Sequence, residues 1–381
     1  MKQSLSIYFH WPFCASKCPY CDFNVHVSDA VDIARWRAAY LSALRHYARG
    51  YADRKVTSIF FGGGTPSLMP PDLAADIIAE VRTLWPVDDD AEITLEANPT
   101  SSERQKFSAF KQAGINRLSL GVQALNDADL SFLGRAHDAG QALAAIETAK
   151  SVFDRFSFDL IYARPNQSLK AWEEELKRAA DLAAGHLSLY QLTVERNTPF
   201  YLKHARGEFY LPEDGMAADF YMLTQDILGV AGLPAYEVSN HAAPGHESRH
   251  NLVYWHYGDY LGIGPGAHGR ITSHNKVRYA TRDHYAPEKW LQWVEERGTG
   301  AHEMEVLSDW DQGAEGLMMG LRLYQGINIA PFRQFIDLKA IDRLASEGWL
   351  CYDEGHLKLT PDGMLRLNMI LPYLIKDETD A

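Results

Sequence analysis

A chain of 381 residues, 46% of them hydrophobic, is long enough to bury a large core and a smaller second one. Its 37 basic and 50 acidic side chains leave a formal charge of −13, which opposes attraction to nucleic acid or to anionic lipid. No apolar run is long enough for an integral membrane segment, no signal-peptide pattern opens the chain, and three clustered cysteines with Cys351 far away make no disulfide framework, so a cytoplasmic protein is expected.

The predicted elements alternate. Strands rich in β-branched and aromatic residues are expected at 5–11, 56–62, 92–98, 117–123, 155–162 and 186–194. Amphipathic helices lie between them, for example "IARWRAAYLSALRHYARG" and "AWEEELKRAADLA". Six β/α units in succession predict an α/β fold with a parallel sheet, closed or partly closed as a barrel. In such folds reactive groups gather at the C-terminal strand ends. The unusual residues fall there: a cysteine loop after the first strand, "GGGTP" after the second, Glu96 at the third and Gln123 at the fourth.

Residues 1–235 are read as this core. From 236 to 300 the alternation gives way to a segment dense in Gly, His and aromatics, read as a closing or functional segment. Residues 301–381 form a third stretch, with helices and a hairpin turning at Asp353-Glu354-Gly355, the order of a winged helix. Its seven basic against fourteen acidic residues argue against DNA, so a packing or interaction module is expected. Cys351 alternates with apolar neighbours in the hairpin and is expected to be buried.

The stretch "FCASKCPYCDF" packs Cys14, Cys18 and Cys21 into eight residues. A structural zinc site, with His10 or His26 as fourth ligand, is one reading, but zinc usually takes two separated ligand pairs. Three thiolates on one tight loop suit three irons of a [4Fe-4S] cube, leaving the fourth iron open. The triple glycine at 62–64 lets a ligand approach the backbone closely, and its amides can form a nest for a charged group.

Cys-x3-Cys-x2-Cys after a first strand resembles the radical S-adenosylmethionine (SAM) enzymes. That resemblance implies a partial (β/α)6 barrel, with SAM chelating the open iron and cleaved to a radical by one-electron reduction. The ordered stretches "IYFHWPFCASKCPYCDFN", "FFGGGTPS", "LEANP", "RLSLGVQAL", "LGRAHD", "FDLIYARP" and "LSLYQLTVERNTP" resemble the oxygen-independent coproporphyrinogen III oxidase family. It implies SAM contacts from Tyr8, Gly63, Gly64, Thr65, Glu96, Gln123, Arg135 and Asp159, with Thr193 and His268 bordering the adenine. Two departures point away from the oxidase itself: Asp22 and Phe23 follow Cys21 where it has a further cysteine, and only 13 residues precede Cys14.

"RHNLVYW" resembles the His-Asn-x-x-Tyr haem motif of the HemW-type haem-chaperone branch, implying haem-site roles for His250, Asn251 and Tyr254. A neutral imidazole is a good axial ligand to haem iron. Ser248 stands where that branch often has a cysteine, which excludes a thiol contribution there. The resemblance thus implies a chaperone that binds a [4Fe-4S] cluster, SAM and haem and passes haem to recipient haem proteins. The alternatives are radical decarboxylation of coproporphyrinogen III and a zinc-stabilised β/α scaffold.

Overall fold

The computed structural model describes residues 3–28 and 30–376. Its main sheet is built on β1 (Ser4–Trp11), β2 (Lys55–Gly63), β3 (Val87–Ala97), β4 (Arg117–Gln123), β5 (Arg155–Tyr162) and β6 (His186–Gln191), all parallel. The six expected strands are therefore present, with boundaries shifted by up to five residues.

The 236–300 segment extends this sheet on both sides. β7 (Asn240–Ala242) pairs antiparallel with β6, and β8 (Tyr260–Ile263) pairs parallel with β1. Beyond β8 lie the antiparallel β9 (His268–Thr272), β10 (Arg278–Arg282) and β11 (Glu305–Val306). The strand order β11-β10-β9-β8-β1-β2-β3-β4-β5-β6-β7 is open, so the barrel is partial. β8 escaped the sequence pattern because a four-residue strand set among glycines carries almost no periodicity.

Period-two alternation decides what faces where. Leu5, Ile7, Phe9 and Trp11, with Ile59, Phe61, Ile93, Leu95, Leu118, Leu120, Phe156 and Phe158, are buried in the apolar core. Helices α1 (Ile33–Tyr51), α2 (Pro71–Leu84), α3 (Ala139–Val152) and α4 (Leu169–Leu182) cover this side. The intervening positions Ser6, Ser58, Glu92, Thr94, Glu96, Arg117, Ser119 and Asp159 point inward. The concave face is therefore polar.

The second core gathers residues from 317 to 374 with Tyr221 of α5 (Asp214–Val230). It carries a three-stranded sheet of β12 (Ile327–Asn328), β13 (Leu350–Asp353) and β14 (His356–Leu359). The hairpin turns where expected, with Glu354 and Gly355 both at positive φ. The expectation for Cys351 is wrong: Leu350 takes the buried register with Leu357 and Leu359 opposite, so Cys351 faces solvent.

Trp172 anchors α4. It is fully buried, stacks on Tyr162 at 4.8 Å and donates to Thr224 Oγ1 at 2.9 Å. Trp172→Ala is expected to cost about 3–5 kcal/mol, read as a lowered urea midpoint, and Trp172→Phe about 1 kcal/mol from the lost hydrogen bond.

Candidate functional site

Cys14, Cys18 and Cys21 line one side of a cavity of about 200 Å3 at the C-terminal ends of the strands. Gly63, Gly64, Thr65, Glu96, Gln123, Arg135 and Asp159 line the rest. The sequence-predicted cysteine, glycine-rich and strand-end residues are thus brought together from five separate chain segments.

The cysteine loop is clamped by backbone bonds. Gly64 N donates to Trp11 O at 2.7 Å, Thr65 N to Phe13 O at 2.9 Å, His26 N to Pro12 O at 2.7 Å and Phe200 N to Pro19 O at 2.9 Å. Glycine is required on both flanks: a Cβ on Gly64 would lie 2.6 Å from Phe13 O, and one on Gly134 2.6 Å from Pro19 Cδ. The 62–64 amides do not form the expected nest. Gly63 N is held by Glu96 Oε2 at 3.1 Å and Gly64 N by Trp11 O, so the stretch supplies close approach rather than free donors.

Two sulfurs already accept hydrogen bonds, Cys14 from Thr65 Oγ1 at 3.4 Å and Cys18 from Arg135 Nη1 at 3.3 Å. Burial pushes the Cys14 and Cys21 thiols above their ordinary value, so a metal is what would hold them as thiolates at neutral pH. Among the described residues, no group of three or more His, Cys, Asp or Glu is arranged around a single metal ion. Three sulfurs spread around a cavity fit a cluster in which each meets a separate iron.

The zinc reading also loses its fourth ligand. His10 Nε2 bonds Asn24 O at 2.9 Å and its Nδ1 meets Tyr8 Oη at 3.0 Å, leaving neither nitrogen free. Neither His10 nor His26 lines the cavity.

Glu96 and Asp159 reach the cavity from deep within the half-barrel. Burial first, and then the neighbouring Asp159 charge, push the Glu96 carboxyl up to about 8 against the opposing Gly63 amide. Burial raises Asp159 to about 6. Such a pair accommodates a cationic group well and a second anion poorly. Arg135, tied also to Asn98 Oδ1 and Gly121 O, is the one guanidinium among the cavity's lining residues. Gln123 holds φ at 74°, a strained conformation at a ligand-facing position.

Sequence reasoning missed Asn98, which bonds Arg135 and donates to Thr65 Oγ1 at 3.1 Å; its signal was its place in "LEANP", two residues past Glu96. Thr193 and His268 sit at the same end of the sheet but outside the cavity lining.

Tyr8, His250, Asn251 and Tyr254 line a second cavity of about 230 Å3, which shares Glu96, Ser119 and Asp159 with the first. His250 and Tyr254 belong to α6 (Arg249–Trp255), which closes the N-terminal end of the half-barrel. His250 is 1% exposed; its Nδ1 meets Ser58 Oγ at 2.8 Å and its Nε2 meets Tyr254 Oη at 2.8 Å. Burial lowers this imidazole to about 3, so it is neutral. Both nitrogens are engaged, and in this arrangement neither is free for an iron.

With this geometry in hand, the comparisons with known proteins are specific. A model of the radical SAM superfamily matches residues 8–179, and one of the HemN C-terminal domain matches residues 307–366. The chain is 37% identical to "Radical S-adenosyl methionine domain-containing protein 1, mitochondrial" of Bos taurus, covering 100% of this chain and 89% of that protein. It is 35% identical to "Heme chaperone HemW" of Escherichia coli strain K12 over 98% of each chain. The solved structure of coproporphyrinogen III oxidase (HemN) from Escherichia coli superposes with a TM-score of 0.82, covering 98% of this chain and 90% of that one, at 24% identity, and so shares the fold. On this agreement along nearly its full length, the chain belongs to the radical SAM superfamily, in the family that holds heme chaperone HemW and its mitochondrial relatives.

Proposed function

We propose that this protein is a haem chaperone that carries a [4Fe-4S] cluster on Cys14, Cys18 and Cys21, binds SAM at the open iron, and passes haem to recipient haem proteins in a reducing, cytoplasmic setting. The 35% identity to HemW over 98% of each chain, together with a three-sulfur cavity, carries this reading. Among the described residues no helix is long and apolar enough to cross a membrane.

When bound, the reduced cluster supplies a one-electron donor to SAM. The chain's residues do the holding. Glu96 and Gln123 would bond polar groups of SAM, and Arg135 and Asp159 would engage its carboxylate and ribose regions. Tyr20, which lines the cavity, would give the cluster apolar cover, whereas the Phe13 ring packs on Trp11 and Trp36 instead. The oxidase alternative rests on the shared fold; against it stand Asp22 and Phe23 after Cys21 and the higher identity to the chaperone. His250, Asn251 and Tyr254 remain the haem motif of this reading, on the condition that the Tyr254 side chain turns away from His250 Nε2 or that α6 lifts His250 Nδ1 off Ser58.

Anaerobic reconstitution is expected to give a brown protein with about four irons per chain, reduced to background in Cys14→Ala, Cys18→Ala or Cys21→Ala. Haem titration then tests the chaperone: the reading requires a Soret-absorbing complex and no protoporphyrinogen from coproporphyrinogen III, SAM and reductant. Product formation in that assay would reverse the choice between the two functions. An unchanged Soret spectrum in His250→Ala removes His250 from the haem site.

Glu96 generates a pH prediction. Its folded pKa of about 8 lies above the ordinary 4.5, so its contribution to stability is complete below about 4.5 and lost as pH rises through 8. An ionised Glu96 accepts the N–H of an iron-bound amine better than a protonated one, so binding favours loss of that proton. SAM affinity of the reconstituted protein is therefore expected to rise by up to ~tenfold per pH unit between pH 6 and 8, and Glu96→Gln to flatten the profile, both measured by calorimetry.

A further inference from the structure

Away from both cavities, α7 (Pro287–Arg297) and the chain after β10 assemble a patch of parallel rings. Tyr285 stacks on His284 at 5.0 Å and 15°, and His284 stacks on His302 at 5.6 Å and 19°. Trp293 braces both imidazoles edge-on at 4.8 and 5.0 Å. Arg297 lies over the Trp293 ring at 3.9 Å, with Lys289 on the same helix face at 5.8 Å. The order is built in by the backbone: His302 N donates to Arg282 O and His284 N to Gly300 O, both at 2.9 Å.

The two imidazoles are not equivalent. His284 Nδ1 accepts from Ala286 N at 3.1 Å, so its proton sits on Nε2 and the ring has no lone pair to give. His302 has no side-chain hydrogen-bond partner among the described residues. Burial, then the charges of Arg282, His284 and Arg297, lower its imidazole below the ordinary value and keep it neutral. One free imidazole is a weak site for a bare metal ion, which needs several ligands, but it suffices for haem, whose macrocycle supplies four. Tyr285, 67% exposed, ends the stack nearly parallel to His302 and so would border a His302-bound porphyrin by its ring edge, and Arg282 and Arg297 are exposed cations suited to carboxylates.

We propose that this patch is a surface haem site separate from α6, in which His302 ligates the iron, Tyr285 flanks the porphyrin, and Arg282 and Arg297 meet its propionates. The inference rests on the haem-binding reading and deepens it. A carrier that hands its cargo to another protein needs a ligand accessible from outside, which the enclosed His250 does not offer. The patch is joined to the cysteine loop, because Asn24 Nδ2 donates to Tyr285 O at 2.8 Å and to Pro265 O at 2.9 Å.

The test is titration of the full-length, reconstituted protein with ferric haem (hemin), following the Soret band. His302→Ala is expected to weaken one binding phase by ~tenfold or more, about 1.4 kcal/mol, and to change its ligand-field bands, which added imidazole restores. His250→Ala is expected to keep that phase, and the exposed control His274→Ala to behave as wild type. A wild-type protein that binds no hemin overturns the haem-carrier reading itself. Wild-type binding that is unaltered in His302→Ala, lost wholly in His250→Ala, or equally weakened in His274→Ala overturns the surface site alone. Circular dichroism of His302→Ala should match wild type, since this half-buried ring lies outside both hydrophobic cores.

Discussion

Three sulfurs have to be presented to one group from a loop of only eight residues, and a segment that short cannot hold its own shape. Its order is borrowed from the strand ends around it. Trp11 O and Phe13 O receive the amides of the glycine-rich turn, Pro12 O receives His26 N, and Pro19 O receives Phe200 N. The sulfurs stand at the mouth of the half-barrel because β1, β2 and the turn after β6 all end there. The absence of a side chain at Gly64 and Gly134 belongs to the same constraint, since either Cβ would drive the loop away.

The polar concave face is the second consequence of the strand pattern. A sheet whose outer face packs under helices and whose inner face carries Ser6, Ser58, Glu92, Arg117, Ser119 and Asp159 encloses a column of hydrogen-bonding groups instead of an oily core. Glu92, fully buried, takes His250 N at 3.1 Å and Arg155 Nη1 at 2.9 Å, and so ties α6 to β3 and β5. The upper and lower cavities share three residues. A ligand in one therefore changes the electrostatic surroundings of the other, and any coupling between them must run in both directions.

The added strands make the site larger than a bare β/α core. β8 lies beside β1, and the turn beyond it brings Gly264 N to Asp283 Oδ2 at 2.8 Å, while Trp290 Nε1 donates to the same oxygen at 2.6 Å. Burial holds the Asp283 carboxyl near 7, above its ordinary range. This buried acid joins the sheet extension to α7, and α7 carries the ring patch. The second core is stitched on similarly, through Tyr221 Oη to Tyr324 Oη at 2.6 Å and the Glu237–Leu323 bridge.

Local chemistry made the cysteine spacing, the six parallel strands and the strand-end positions of Glu96 and Gln123 legible in the chain, because each depends on residues a few positions apart, whereas Asp159, in the middle of β5, was reached only through the resemblance. Short Gly-bounded strands such as β8 were not legible, and neither was the outward register of Cys351, where the alternating pattern fits either face until a partner strand selects one. Whether both nitrogens of a ring are taken is decided only by tertiary structure. His250 looks like an available ligand in its motif, yet Ser58, 192 positions away, occupies one of its nitrogens. His302 carries no motif at all and is left open because its neighbours stack on its ring instead of bonding to its edge. Local spacing supplies part of a ring's hydrogen bonding, as Tyr254 does for His250 at i+4, but the remaining partner comes from groups that only folding brings together.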